Sequence, residues 1–323
     1  MNARTTGISR RRFMAITGSI GGAAWLGASR ARALGRDEPS SIIDCHLHIN
    51  HRNRSLEDTI KHMDATGTNQ AFILPLETGE GGVVLKSDAV LEAHRQYPDR
   101  IIPFCQCDVR KSDSLDRIRR YRELGFRGFG EQKEHVPFGD RRIENLISLC
   151  DELDWPILVH FQDGKKGYNQ GMAEHLEAYL KRYQRVRIIG HAQTWWANIS
   201  AEVPPPEETL YPIGPVKPGG LLDRLLGKYP NLYADLSAGS GYRALTRDED
   251  YTAGFFERHW KQLLFGTDCP CWDGRGGSGR DDKPRGVCYT TRLKDCLRKM
   301  IRDESVLKAV FHDNAKRVLE SDV

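Results

Sequence analysis

Two imidazoles two residues apart close the apolar run Ile42-Ile43-Asp44-Cys45-His46-Leu47-His48. In an extended strand successive side chains point to opposite faces, so His46 and His48 look one way while Cys45 and Leu47 look the other. Two histidines on one strand face can grip a single metal ion; taken alone, such a pair also suits a solvated strand end. Other strand ends bear on the choice. Ile157-Leu158-Val159-His160, Ile188-Ile189-Gly190-His191 and Leu264-Phe265-Gly266-Thr267-Asp268 each carry an apolar run into a metal-ligating side chain. Brought to one bowl, these nitrogen and oxygen donors with an open position suit Zn2+ or a similar divalent ion.

A parallel sheet is what would bring them there. From Ile42 onward, apolar β-rich runs alternate with amphipathic helical ones, the βα rhythm of an α/β chain. Strand candidates are 42–46, 71–76, 101–107, 126–131, 157–161, 186–191, 232–236 and 263–267, with starts roughly 25–31 residues apart except for about 46 before the seventh. That rhythm predicts a single-domain (β/α)8 TIM barrel, whose strand C-termini share one rim. Ser55 is placed to cap a helix with Leu56, Ile60 and Met63 on one face and Gly67 at its end. Ser112 or Ser114 can begin the helix that Gly125 stops before strand four. Leucine-rich stripes around Leu146, Leu176 and Leu222 precede strands five, six and seven and read as core. Long segments after strand six (203–220) and strand eight (273–286) lie where lids or substrate walls form, or are surface excursions. The glycines at 274, 276, 277 and 279 lack the strand-turn-helix context of a phosphate loop.

Residues 1–33 are expected to be removed. Ser9-Arg10-Arg11-Arg12-Phe13, a Gly/Ala-rich apolar run over 14–28 and Ala31-Arg32-Ala33 resemble a twin-arginine signal peptide with cleavage after Ala33. The run is too short and glycine-rich for a stable membrane span. The remaining chain, 34–323, would be exported to the periplasm or exterior of a bacterium, with the twin-arginine machinery as one partner. Six arginines lie in 1–33 and no acids, so Lys+Arg falls from 48 to 42 against 44 Asp+Glu, a net charge near −2. Nothing in that balance supports a nucleic-acid partner. All eight cysteines lie beyond residue 33; Cys105-x-Cys107 and Cys269-x-Cys271 lack the C-x-x-C spacing of a structural zinc site, and their pairing is left open.

In its order and spacing, the set His-x-His, His, His, Asp on strands one, five, six and eight resembles the amidohydrolase superfamily. The forms "IIDCHLH", "ILVHFQD", "IIGHAQ" and "LLFGTDCP", with the closing run Val310-Phe311-His312-Asp313-Asn314-Ala315, are most similar to its amidohydrolase-related (family 2) branch. The resemblance covers about residues 41–320. It implies one divalent ion, Zn2+ first, held by His46, His48, His160 and Asp268, with His191 a further ligand or a residue facing the substrate. Binuclear relatives use a carboxylated lysine or a glutamate on strand four, where Glu131 and Lys133 share a face; a mononuclear site is the reading taken, and Glu131 could instead orient a histidine or pair with Arg127.

The chemistry of the residues agrees with that reading. Neutral imidazoles on a divalent ion make a nucleophilic water available near neutral pH. Asp268 can accept its proton and return it to a leaving group, and His191 can polarise a carbonyl. The function expected is a metal-dependent hydrolase of an ester, lactone or amide bond in a small molecule. The alternatives are a decarboxylase of the same branch and a non-catalytic binding protein on the same scaffold. Phe161, Gln162, Trp195, Trp196, Tyr242, Arg243 and Trp272 follow strands five to eight and are candidates to line a pocket for a ring or carboxylate. The other histidines, His62 and His259 among them, read as solvated or capping, His51 being closest to the pair. Self-association is left open.

Overall fold

Runs of Ile, Val, Leu and Phe bounded by turn residues form eight parallel strands among the described residues of the computed structural model, which are 41–79, 85–277 and 286–320. The expected signal segment 1–33 and part of the 273–286 loop lie outside them. The strands are β1 (Ile43–Leu47), β2 (Gln70–Ile73), β3 (Ile101–Pro103), β4 (Phe129–Gln132), β5 (Pro156–His160), β6 (Arg187–His191), β7 (Leu232–Asp235) and β8 (Leu263–Leu264). Between them run α1 (Leu56–Thr66), α2 (Ser87–Gln96), α3 (Ser114–Glu123), α4 (Arg141–Glu152), α5 (Met172–Arg182), α6 (Gln193–Ala197), α7 (Leu221–Lys228), α8 (Ala238–Thr246) and α9 (Glu249–His259). After β8 follow α10 (Tyr289–Met300), α11 (Glu304–Lys308) and α12 (Asn314–Leu319). None of the described helices is long and apolar enough to cross a membrane.

Local signals place these elements well. Ser55 Oγ accepts from Asp58 N at 3.1 Å and starts α1. Gly67, at φ 65°, ends it in the left-handed region that a residue without Cβ enters at little cost. The buried face between those caps carries Ile60 and Met63, as the 3.6-residue period requires.

Ladder pairing runs β1-β2-β3 and β4-β5-β6-β7-β8, leaving two seams in a barrel-like arrangement. Individual backbone hydrogen bonds cross both. At β3/β4, Cys105 N donates to Gly128 O (3.0 Å) and Gly130 N to Cys105 O (2.9 Å). At β8/β1, Cys45 N donates to Phe265 O and Asp268 N to His46 O, each at 2.8 Å. The Asp44 carboxylate ties the second seam further, accepting from Thr267 Oγ1 (2.6 Å), Thr267 N (3.0 Å) and His46 N (2.9 Å).

Two apolar clusters follow from this arrangement. Ile43, Cys45, Phe72, Phe104, Leu158, Ile189, Tyr233 and Leu264 fill the space enclosed by the strands, with Ala315 and Val318 of α12 packed against them. A larger cluster lies between strands and helices. In β1, Cys45 belongs to the enclosed set and Leu47 to the outer one, because the pairing of β1 with β2 shifts register between Asp44 and Leu47. Strict alternation therefore fails there. A β-bulge is what turns His46 and His48 toward the strand C-termini, since one extra residue inverts which side chains face inward.

One buried acid makes the fold pH-sensitive. Glu134 is almost wholly buried and accepts from Val109 N at 3.0 Å, and burial pushes its pKa up to about 7. The folded chain thus holds this proton more tightly than the unfolded chain does. The stability linked to it is complete below the ordinary carboxyl pKa and is lost as pH rises through about 7. Glu134→Gln should therefore match the wild type in urea denaturation near pH 4 and exceed it by up to about 3 kcal/mol at pH 8. A difference independent of pH would contradict this assignment.

Candidate metal centre

The C-terminal ends of β1, β4, β5, β6 and the segment after β8 bring six ligating side chains together. His46 Nε2 and His48 Nε2 stand 3.1 Å apart. Glu131 Oε2 lies 3.4 Å from His48 Nε2 and 3.7 Å from His46 Nε2; Asp268 Oδ1 lies 3.6 Å and 3.9 Å from the same two atoms. In-register pairing of β5 with β6 sets His160 beside His191. Both rings reach Glu131 Oε1, His160 through Nδ1 at 2.6 Å and His191 through Nε2 at 3.8 Å. Glu131 thus touches all four histidines and is the hinge of the constellation.

Behind the imidazoles stands Asp235, at the end of β7. Fully buried, its Oδ2 is 2.7 Å from His46 Nδ1, 3.1 Å from His191 Nδ1 and 2.7 Å from Ser237 Oγ, which donates to it. Holding Nδ1–H on such a carboxylate leaves Nε2 of each ring as the free donor toward the bowl. His48 is fixed likewise, its Nδ1 2.7 Å from Leu74 O. Burial opposes a charge on His46, but Asp235, Asp268 and Glu131 outweigh it and raise its pKa well above the imidazole value. Burial and the nearby Lys133 push His160 down to about 4. Burial would raise Asp268, yet His46, His51 and His48 hold it below the usual carboxylate range.

This geometry fits a divalent cation. Asp268 Oδ1 is buried without a hydrogen-bond donor among the described residues, although it faces three imidazoles. Glu131 and Asp268 are both held in the ionised form. Three sets of three facing donors, His46–His48–Glu131, His46–His191–Asp268 and Glu131–His160–His191, each lie within 4.8 Å of one another. Imidazole nitrogens and carboxylates together are a borderline donor set that suits Zn2+ and similar ions.

The family model described as Amidohydrolase (Amidohydro_2) matches residues 43–320. The chain belongs to this amidohydrolase family. No curated protein sequence matches it significantly. Among solved structures it is similar to an uncharacterized TIM-barrel protein from Bordetella bronchiseptica, with 17% identity, 86% of this chain and 98% of that one covered, and a TM-score of 0.60. A probable 2-pyrone-4,6-dicarboxylic acid hydrolase from Acinetobacter baumannii matches at 13% identity over 86% and 99% of the two chains, TM-score 0.54. A 5-carboxyvanillate decarboxylase from Sphingomonas paucimobilis matches at 11% over 87% and 99%, TM-score 0.54. At these identities the likeness is one of fold.

The bowl of this amidohydrolase-family chain opens into a cavity of about 320 Å³ lined by His48, His51, Glu131, Lys133, His160, His191 and Asp268 among others. Ala192, Ala238 and Asp268, the residues turning away from β6, β7 and β8, all line it at positive φ (83°, 62° and 47°). Left-handed backbone at residues with a Cβ is costly and persists where surrounding structure enforces it, as at a functional rim. Tyr211 brings the long loop after β6 to the wall, and Tyr289 and Pro270 bring the segment after β8. The 203–220 loop therefore walls the site through Tyr211, whereas Pro270 and Tyr289 lie on either side of the 273–286 loop, part of which is outside the described residues.

Most of the expected pocket aromatics lie elsewhere. Phe161, Trp195 and Trp196 are core residues. Directly after β6 the chain turns back into α6, so that Trp195 covers Gly190, where a Cβ would stand 2.1 Å from the indole ring. Phe161 stacks on Trp195 with ring centres 6.1 Å apart, and Trp196 Nε1 donates to Asp235 O at 3.1 Å. Arg243 lies over the Tyr211 ring (5.2 Å) in an adjoining crevice, Tyr242 lies under Arg292, and Trp272 forms part of a turn closed by its N–H to Gly277 O. Gln162 does approach the bowl, with Oε1 3.3 Å from His160 Nε2. Lys133 lines the cavity with its ammonium over the Tyr168 ring. Arg127 pairs not with Glu131 but with Leu319 O. His62 and His259, expected in solvent or at caps, are buried.

Sequence reasoning passed over Asp235, Ser237 and the role of His51, whose Nδ1 is 3.6 Å from Asp268 Oδ1. The signal for Asp235 was present: an acid closing the apolar strand Leu-Tyr-Ala-Asp, as Asp268 follows β8. Arg54 was also missed. Fully buried, it donates to His48 O, Cys269 O and Cys271 O at 2.7–2.8 Å and fastens the end of β1 to the segment after β8.

Proposed function

We propose that this chain is a metal-dependent hydrolase that opens an ester, lactone or amide bond in a small anionic molecule. The observation that carries the proposal is Asp268, a half-buried carboxylate on the cavity wall kept ionised beside His48 and His51, whose Oδ1 is buried without a hydrogen-bond donor among the described residues. His46, His48, Glu131 and Asp268 would hold one ion, Zn2+ by donor type, while His160 and His191 flank Glu131 and could take a second. When bound, the ion supplies Lewis acidity and a nucleophilic water near neutral pH.

The remaining steps belong to the chain's own residues. Asp268 accepts a proton from the water whose oxygen bonds to the substrate carbonyl carbon, and returns it to the departing oxygen or nitrogen. His191 is locked through Nδ1 on Asp235 and Ser237, so Nε2 is directed to where charge gathers on that carbonyl. Lys133, on the cavity wall, complements a substrate carboxylate.

The same bowl supports a second reading, decarboxylation of a ring acid, since both a hydrolase and a decarboxylase share this fold. Incubation of the metal-loaded protein with a panel of lactones and aromatic acids separates the two. Ring opening with incorporation of one water and no CO2 is the expected outcome; CO2 release without net addition of water would replace the hydrolase by the decarboxylase.

A further inference from the structure

Three thiols and one imidazole meet on the far side of the segment whose other side walls the cavity. From Asp268 to Cys271 the chain alternates: Asp268 and Pro270 line the cavity, whereas Cys269 and Cys271 turn away from it toward His62 of α1. Cys288, the residue before α10, completes the group. The four side chains come from three separate stretches of chain, and all four are buried.

We propose that His62, Cys269, Cys271 and Cys288 form a second metal site, of the Cys3His class, that takes Zn2+ and is structural. Ligand atoms of His62, Cys269 and Cys288 lie within 4.8 Å of one another; Cys271 stands outside that mutual set, and its thiol interacts with both other sulfurs and the imidazole. Cys269 Sγ and Cys288 Sγ are 3.8 Å apart. Tetrahedral zinc with Zn–S bonds of about 2.3 Å places sulfurs about 3.8 Å from each other, whereas a disulfide requires about 2.05 Å.

Independent support comes from the histidine. His62 is 1% exposed, and its Nδ1 has no hydrogen-bond partner among the described residues. Its Nε2 is 3.1 Å from Thr290 Oγ1, at the start of α10. A metal-binding imidazole has this division of labour, with one nitrogen on the ion and the other donating to an oxygen that fixes the ring. Gly276 N donates to Cys271 Sγ at 3.0 Å, a bond that favours thiolate over thiol; the Cys271 proton now directed at Asp273 Oδ1 (3.2 Å) is the one metal binding would release. Three thiolates and a divalent ion carry one net negative charge, and the buried guanidinium of Arg54 lies against the carbonyls of Cys269 and Cys271.

Such a site joins α1, the β8 exit and the start of α10. It would hold Pro270 and Tyr289 on the cavity wall from behind, giving the segment after Asp268 a rigid backing that a two-residue β8 does not supply.

Cobalt substitution tests the proposal without an activity assay. The facing donors of the barrel bowl are nitrogen and oxygen, so only the cysteine cluster can give an intense thiolate-to-Co(II) charge-transfer band. The full chain loaded with Co2+ is expected to show that band, to keep it in a His46→Ala/His48→Ala variant, and to lose it with one metal equivalent in Cys288→Ser. Should Cys288→Ser fail to fold, the wild-type spectrum still decides. Absence of the band from Co2+-loaded wild type, or a mass two hydrogens short from a Cys269–Cys288 disulfide in protein isolated without added oxidant, would overturn it. The outcome is independent of whether the barrel bowl is hydrolytic.

Discussion

Asp268→Asn is expected to lower kcat by about 10³–10⁴-fold with little change in fold. Asn is isosteric with Asp and is among the residues that tolerate the left-handed backbone found here at φ 47°. The backbone bond from residue 268 to His46 O survives the change, so the seam between β8 and β1 is kept. What disappears is the negative oxygen 3.6 Å from His48 and His51, which in the proposed reaction takes a proton from water and passes it on. Steady-state rates, metal analysis and circular dichroism on the same preparation separate chemistry from folding. A folded variant with wild-type turnover would remove Asp268 from the mechanism.

For Asp235→Asn the expected result is a 10–100-fold loss of metal affinity at the barrel bowl, measured by competition with a chelator. Asp235 never faces the cavity, and its effect runs through His46 and His191. An amide at this position can present an N–H to His46 Nδ1, driving the ring proton onto Nε2, the nitrogen that faces the bowl. In the metal-free protein the same substitution should cost about 3–5 kcal/mol in denaturant unfolding, because it removes one partner of a buried pair in which His46 is held protonated. Unchanged metal affinity together with a stability loss would show that Asp235 serves only the fold.

A substantial part of this protein was readable from local signals. The Ser55 cap, the Gly67 stop and the leucine stripe of α7 are decided by residues within one or two turns of each other. Strand ends at His160, His191 and Asp268 were readable because a polar ligand terminating an apolar run stands out. Distant partners were harder to see. His46 and Asp235 are 189 residues apart, and nothing near either announces the other. Trp195 and Trp196 were read as wall residues because they follow β6, yet the reversal into α6 at Ala192 folds them into the core.

By itself the sequence determined the βα rhythm, the approximate strands and the rim that carries His46, His48, His160, His191 and Asp268, since periodicity and capping act over a few residues. Only the tertiary structure decided which atoms of those residues face one another. A bulge in β1 turns the two paired histidines inward, Glu131 rather than Arg127's partner becomes the hinge among four imidazoles, and Asp235 sets which nitrogens are free. Those outcomes depend on the register of strands brought together across the barrel. Shifting a strand by one residue reverses the direction of every side chain on it, so the register follows from closure and packing of the whole ring rather than from any single stretch of chain.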